Sequence, residues 1–194
     1  MDCIIVAKGP TAKYLQKSSF PNTQLVAVNQ AVKLIDKPDF VVMNDMDAGL
    51  YGLEKKDIMN VQTFCIPEFP HVKCSPDPKV TSETFKETVY SLTDHEFSGN
   101  FLIYNLHTSP KPNKQLPLFK VPGISSTHYA MMIASQLYDK RKILTYGFGI
   151  GSSYHRVIRS LYPHYVDHLY TNHTKARRQA MQIASVYNIE LSIE

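Results

Sequence analysis

The sequence has 194 residues, 43% of them hydrophobic and 20% charged, which indicates one soluble domain over residues 1–194 with a sizeable core. The net charge of +4 suits an anionic substrate or a nucleic acid. The three cysteines have no metal-ligand spacing, and we expect them to be reduced thiols. No apolar run is long enough to span a membrane, and the N-terminus has no signal-peptide pattern, so we expect a cytoplasmic location.

The first predicted strand is Cys3–Ala7, a continuous apolar run of the kind that is buried on both faces of a parallel sheet. It ends in Lys8-Gly9-Pro10-Thr11, and a helical stretch follows. Backbone amides at such a turn form an anion site, and a glycine lets a phosphate approach closely. The chain therefore opens on a predicted nucleotide-binding turn. The alternative is an ordinary tight loop of an α/β protein.

Three more apolar runs predict strands at Leu25–Val28, Phe40–Met43 and Val61–Ile66. The first two end in the polar residues Asn29 and Asn44. In open α/β sheets the carboxyl ends of the strands line the ligand crevice, so we expect these amides at the site.

The segment 67–122 changes character, because it is loop-rich and contains proline clusters such as Pro76-Asp77-Pro78. Within it, the pattern predicts a short helix at Ser82–Ser91 and a strand at Asn100–Tyr104. An irregular stretch of this length is typical of a lid or acceptor-binding segment, or of a disordered one.

The last part of the chain returns to alternating elements. Helices are predicted at His128–Tyr138 and Lys175–Tyr187, and strands at Lys142–Thr145 and Ile189–Ile193. The fold class is therefore α/β, with a Rossmann-like, mostly parallel sheet, helices on both of its faces and a loop-rich lid region.

Six short segments, in the same order, resemble the bacterial lipo-oligosaccharide sialyltransferases, a family that uses a CMP-activated sugar in a single Rossmann-like domain. Each segment is weakly specific alone, and their order and spacing agree over nearly the whole chain apart from a shorter, divergent middle. The segments are Ala7-Lys8-Gly9-Pro10-Thr11, Asn29-Gln30, Asn44, Gly123-Ile124-Ser125-Ser126-Thr127, Gly151-Ser152-Ser153-Tyr154 and His173-Thr174-Lys175.

The resemblance implies a glycosyltransferase that moves a sugar from a CMP- or UDP-sugar to an acceptor hydroxyl, with a glycan as the leading acceptor. The transfer is expected to be inverting, because a single displacement with His173 as the base needs no enzyme nucleophile. Lys8 stands where the family has Asn, and Gly123 stands where it has Arg, so the sugar and the acceptor class stay open. The implied contacts to the nucleotide donor are Lys8, Gly9, Pro10, Thr11, Asn29, Asn44, Ser125 and Ser126.

Three residues are candidates for the chemistry that the resemblance implies. His173 has an intrinsic pKa near neutrality and is the expected general base, with a surface histidine as the alternative. Tyr154 and Tyr146 are expected to donate hydrogen bonds to the departing phosphate. For Tyr146 the alternative is packing in the core. Ser125 and Ser126 stand at a predicted helix N-terminus, where capping the helix is the alternative role.

A metal-dependent reaction is the weaker alternative. Asp45 and Asp47 form a D-x-D pattern after the third strand, and such carboxylates hold Mg²⁺ or Mn²⁺ in many glycosyltransferases. The alternative is a solvated loop at the strand end. We expect that no cofactor is required beyond the nucleotide-sugar donor.

A basic cluster, Lys175, Arg177 and Arg178, follows the expected base. It fits a solvated helix face, or contacts to a polyanion such as DNA. If these residues contact DNA, the protein would be a virus-encoded DNA glycosyltransferase that acts on hydroxymethylated bases. Such bases would have to be flipped out of a duplex. A non-catalytic nucleotide-binding domain is a further alternative, and a homo-oligomer is compatible with each.

Overall fold

Seven parallel strands form one sheet in the computed structural model, which describes residues 1–15, 22–72, 75–148, 157, 160 and 173–194. The order across the sheet is β7-β4-β3-β2-β1-β8-β9, and each neighbouring pair is parallel. A ribbon of two antiparallel strands, β5 and β6, lies outside it. The bounds are β1 Cys3–Val6, β2 Gln24–Val28, β3 Phe40–Val42, β4 Thr63–Pro67, β5 His71–Val72, β6 Ser75–Pro76, β7 Asn100–Tyr104, β8 Lys142–Tyr146 and β9 Glu190–Ile193.

The central strands are buried on both faces, which explains their unbroken apolar runs. In β1, Cys3 and Ile5 pack in one hydrophobic cluster, whereas Ile4 and Val6 pack in the other. Successive side chains of a strand point to opposite faces, so one strand contributes to both clusters. The predicted parallel sheet is confirmed.

Helices cover both faces, as the sequence predicts. One face carries α4 (Ser126–Tyr138) and α5 (His173–Tyr187). The other face carries five short elements: two 3-10 helices, Pro10–Tyr14 and Asn29–Leu34, together with α1 (Met46–Leu50), α2 (Lys55–Met59) and α3 (Ser82–Leu92). A double layer of helices around a parallel sheet is the Rossmann-like arrangement.

The chain reverses its direction of travel across the sheet at β1. From β1 it moves through β2, β3 and β4 to β7 at one edge, and it then crosses over to β8 and β9 on the other side of β1. The segments that follow β1 and β8 therefore pack on opposite faces of the sheet, which makes this a topological switch point, where ligands bind in open α/β sheets.

The segment 67–122 is more ordered than its proline content indicates. Helix α3 and strand β7 lie within it, close to their predicted bounds. The loop after β7 is pinned by Asn105, whose side-chain amide donates to the carbonyl oxygens of Asn113 and Leu116 and whose Oδ1 accepts from the Asn113 amide at 2.9 Å. Its role as a lid stays a prediction. No helix in the described ranges is both long and apolar enough to cross a membrane.

Candidate functional site

Two glycines bring the loops after β1 and β8 into contact. The Gly9 amide donates to the Gly147 carbonyl oxygen at 2.9 Å. The Gly147 amide donates to the Thr11 hydroxyl at 2.7 Å, and that hydroxyl donates to the carbonyl oxygen of Glu194. A Cβ on Gly9 would lie 2.5 Å from the Gly147 oxygen. Close packing of the two loops therefore requires glycine at position 9, independently of the expected contact with a phosphate.

The other residues of the first turn have separate local roles. Pro10 occupies the first turn of the 3-10 helix, where its fixed φ and missing N–H are tolerated. Lys8 is half-buried; burial raises the pKa of Asp45, and the electrostatic effects of His71 and then of Lys8 oppose that rise. Lys8 thus lies within electrostatic range of the carboxyl end of β3.

Asn29 is the first residue after β2 and has an unusual environment. It adopts φ = 52°, and its side chain is buried with 7% exposure. Among the described residues, its Oδ1 has no hydrogen-bond partner. A buried acceptor without a partner is costly, and a bound ligand is one way to satisfy it. By contrast, Gln30 has a structural role, since its amide donates to carbonyl oxygens of α1, including that of Gly49 at 2.8 Å.

Asn44 follows β3 and is held by three neighbours. The Tyr104 hydroxyl donates to its Oδ1 at 2.5 Å. Its backbone amide donates to the Ser126 hydroxyl at 3.2 Å, and its carbonyl oxygen accepts from the His71 amide at 2.7 Å. Because Oδ1 is bound to Tyr104, the orientation of the Asn44 amide is fixed.

The N-terminus of α4 lies beside Asn44. Ser125 is the N-cap, and its hydroxyl accepts from the His128 amide at 3.4 Å. Ser126 is buried and contacts Asn44 as described. Capping is therefore one role of Ser125, and the same helix end offers unpaired N–H groups and a positive dipole to an anion.

His128 lies in this region, and the sequence analysis did not single it out. Its ring is fully buried, and burial lowers its pKa. Nδ1 lies 2.9 Å from the Ser125 hydroxyl, and Nε2 lies 2.9 Å from the Ala176 carbonyl oxygen in α5. The S-x-x-H spacing at a helix start was the only signal for it in the sequence.

The carboxyl end of β3 also carries an acidic and basic pair. Asp45 forms a β-bridge with His71, and its Oδ1 lies 3.8 Å from Nδ1 of His71. Nε2 of the same ring lies 3.0 Å from the Thr108 hydroxyl. Burial raises the pKa of Asp45. No sequence pattern pointed to His71, because it lies in the irregular segment and is paired with Asp45 only by the fold.

The D-x-D pattern does not converge on one point with further ligands. Asp45 faces His71, whereas Oδ1 of Asp47 accepts from the Ala48 amide at 2.8 Å within α1. In the part of the chain that the structure describes, no three His, Cys, Asp or Glu side chains are grouped as a metal site requires.

The remaining predicted residues are distributed as follows. Tyr146 ends β8, and its half-buried ring packs against the hydrophobic cluster on the α1–α3 face. Tyr154 lies outside the described residues. His173 is the first residue of α5, and its side chain lies outside the part of the chain that the structure describes. Lys175, Arg177 and Arg178 are all exposed on α5.

Comparisons with known proteins are consistent with this architecture. No protein-family model matches the sequence, and no curated protein matches it significantly. A solved structure that is similar is that of the sialyltransferase CST-II in complex with a trisaccharide acceptor and CMP, with a TM-score of 0.50 and 17% sequence identity over 99% of this chain and 80% of that one. The chain has a sialyltransferase-like fold. At this identity the similarity shows the fold alone.

Proposed function

We propose that this protein is an inverting glycosyltransferase that moves a sugar from a CMP- or UDP-sugar to an acceptor hydroxyl. The carrying observation is the pair of buried amides that follow the neighbouring strands β2 and β3, Asn29 and Asn44, of which Asn44 contacts Ser126 at the N-terminus of α4. It occurs in a fold similar to that of CST-II, which was solved with CMP and a trisaccharide acceptor. A glycan hydroxyl is therefore the first choice of acceptor.

The donor would be held by groups on four elements. The unpartnered Oδ1 of Asn29 would accept a hydrogen bond from a ribose hydroxyl or a base amine. The Asn44 amide, fixed by Tyr104, would donate its NH₂ group. In the turn Lys8–Thr11 the Gly9 amide is bonded to Gly147 and Pro10 has no N–H group, so this turn would contribute the positive charge of Lys8. The N-terminus of α4, with Ser125 and Ser126, would bind the phosphate and sugar through its N–H groups.

The chemistry requires a base for the acceptor and stabilisation of the departing phosphate. His173 would take the proton of the acceptor hydroxyl as that oxygen attacks the anomeric carbon. The bond to the phosphate breaks in the same step, and a single displacement inverts the anomeric configuration. Tyr154 and Tyr146 would donate hydrogen bonds to the phosphate, which removes the need for an ion at Asp45 and Asp47.

A thermal-unfolding screen with CMP, UDP and GDP tests the donor half of the proposal. A nucleotide at 100 times its Kd stabilises the fold by about 2.7 kcal/mol and raises Tm. The matching nucleotide sugar is then assayed for transfer and hydrolysis, with and without EDTA. We expect turnover that survives EDTA. Absence of any nucleotide effect would refute the proposal, and stabilisation without turnover would leave a non-catalytic nucleotide-binding domain.

Replacement of His173 tests the catalytic half. His173→Ala should lower turnover by roughly 10²–10⁴-fold with little change in nucleotide affinity, because a general base acts on the acceptor and not on the bound nucleotide. His95→Ala is the control, since His95 is an exposed histidine that follows α3. Equal turnover in both variants would remove His173 from the mechanism.

DNA is the second candidate acceptor, and one observation favours it. Lys175, Arg177 and Arg178 are exposed on the same helix, immediately after His173, where they would meet a phosphate backbone. The opposing observation is the pair Asp45 and Asp47 at the end of β3, because ionised carboxylates repel phosphates.

A further inference from the structure

His128 connects three parts of the candidate site through one ring. Its Nδ1 contacts the N-cap of α4 at Ser125, and its Nε2 contacts the first turn of α5 at Ala176, each at 2.9 Å. The ring of Phe148, in the loop after β8, packs edge-on against it with centroids 5.3 Å apart. The ring is thus shared by the helix end next to Asn44, the helix that begins with His173 and the switch-point loop.

The hydrogen bonds fix the tautomer of this ring. A carbonyl oxygen only accepts, so Nε2 must carry a proton and donate to Ala176. The ring is fully buried, and its described contacts, Ser125, Ala176 and Phe148, are uncharged, which disfavours the imidazolium ion. Nδ1 therefore accepts, and the Ser125 hydroxyl donates to it.

In this arrangement the hydroxyl proton of Ser125 is used in the hydrogen bond to Nδ1 of His128. The same oxygen accepts from the His128 amide, so Ser125 has no proton left to donate to a donor phosphate. Ser126 differs, because its hydroxyl accepts from Asn44 and keeps its own proton. Ser125 is therefore part of a rigid link and Ser126 is the hydroxyl that can donate to a ligand.

The position of Gly123 supports the same link. A Cβ on Gly123 would lie 2.8 Å from the Tyr129 ring and 3.0 Å from Cβ of His128. Tyr129 is itself buried, so it cannot move aside cheaply. The chain just before Ser125 is thus packed closely against the residues that hold the link, which fixes its path.

We propose that His128 is a positioning residue that sets the first turn of α5, and with it His173, against the donor-binding end of α4. The inference rests on the proposed function. Ala176 lies three residues after His173, so the bond from Nε2 holds the helical turn on which the expected base stands. His128 acts through Ser125 and Ala176 and does not touch the substrate.

Two conservative replacements of His128 test its two hydrogen bonds separately. An asparagine amide occupies the place of Nδ1, so His128→Asn keeps an acceptor for Ser125 and loses the bond to Ala176. A glutamine amide reaches the place of Nε2, so His128→Gln keeps a donor for Ala176 and loses the bond to Ser125. Ser135→Ala is the matched control, because the Ser135 hydroxyl also joins α4 to α5, donating to the Tyr187 carbonyl oxygen at the far end of both helices.

The readouts are kcat, nucleotide affinity by calorimetry, and hydrogen exchange of the peptide 173–187. His128→Asn should lower kcat by roughly 10- to 100-fold at unchanged nucleotide affinity and should speed exchange at the start of α5, because a small displacement of a catalytic group is costly. His128→Gln should retain most of kcat, and Ser135→Ala should leave it unchanged.

Two results would overturn the proposal: an unchanged kcat in His128→Asn, or an equal fall of kcat in His128→Asn, His128→Gln and Ser135→Ala. If the wild-type protein neither binds a nucleotide nor transfers a sugar, the proposed function fails by itself. The link between the helices is then judged by hydrogen exchange, and unchanged exchange in His128→Asn refutes it.

Discussion

At the scale of single residues, close packing of backbone decides what the switch point tolerates. Gly147 has φ = 70°, and a Cβ there would lie 2.7 Å from the Ala7 carbonyl oxygen. Gly9 faces the Gly147 backbone at even shorter range. Neither neighbour is the flexible end of a side chain, so neither can give way without moving a strand end. Backbone packing therefore excludes a side chain at both positions, whether or not a ligand binds there.

Replacement of either glycine by alanine should therefore destabilise the fold. We expect Gly147→Ala to lower the free energy of unfolding by roughly 2–4 kcal/mol, from the left-handed φ and the contact with Ala7 together. Gly52→Ala is the control, since Gly52 has φ = 69° but is exposed, and it should cost only about 1 kcal/mol. Urea unfolding measures both. Equal losses would show that the close contact is unimportant.

Tyr104 is the residue through which the orientation of Asn44 can be tested. Tyr104 is fully buried, and burial raises its pKa well above the ordinary value, so its hydroxyl remains a donor to Asn44 across the accessible pH range. Tyr104→Phe removes that donor and keeps the ring, which stacks on Tyr129.

We expect Tyr104→Phe to weaken nucleotide binding about tenfold and to cost roughly 0.5–1.5 kcal/mol of stability, the usual net value of one hydrogen bond. Calorimetry with the nucleotide found in the screen measures the first and urea unfolding the second. Tyr138→Phe is the control, because Tyr138 also packs in the core, against Phe40, but lies at the other end of α4. Wild-type affinity in Tyr104→Phe would take Asn44 out of the donor site.

At the scale of elements, α5 combines a core face with an exposed cationic face. Ala180, Ile183 and Ala184 of α5 pack in the cluster that covers one face of the sheet. Lys175, Arg177 and Arg178 are exposed at its N-terminal end. Cations at a helix N-terminus oppose the helix dipole, so the dipole does not favour these three side chains at this end of α5.

If DNA is the acceptor, these cations contact phosphates. Arg177→Ala with Arg178→Ala should then flatten the plot of log affinity against log salt concentration by roughly one unit per lost contact. The double variant Lys55→Ala, Lys56→Ala in α2 removes the same charge from the opposite face of the sheet and should leave the slope unchanged. Failure of the wild-type protein to bind single-stranded or duplex DNA at low salt would leave the glycan as acceptor.

At the scale of the whole molecule, the sheet has buried thiols that report its opening. Cys3 in β1 and Cys65 in β4 are both fully buried. Burial raises the pKa of Cys3 to about 12 and raises that of Cys65 as well. Both thiols therefore stay protonated and unreactive at pH 8 while the sheet is closed.

Thiol labelling should consequently follow global unfolding. In a Cys74→Ser variant, which removes the cysteine outside the described residues, we expect both thiols to react with one slow rate at pH 8. A nucleotide that binds only the folded state should slow that rate about 100-fold at 100 times its Kd. Mass spectrometry of the labelled protein checks this. Rapid labelling of either thiol in the native protein would contradict a closed sheet.

Much of the fold was determined by the sequence alone, because its elements are locally encoded. The central strands follow from short apolar runs that are buried on both faces of the sheet, and α4 and α5 follow from their helical patterns. The polar strand ends at Asn29 and Asn44 could also be predicted, because parallel strands end at one edge.

The order of the sheet and the surroundings of the site were decided only by tertiary structure. Nothing in the sequence places β8 beside β1, and only that pairing brings Gly147 against Gly9. His71 meets Asp45, and His128 meets Ala176, across 26 and 48 residues of chain respectively. Such contacts depend on how the helices and the sheet pack together, whereas a sequence pattern reflects only local structure. The sequence therefore indicated the edge of the sheet but not these partners.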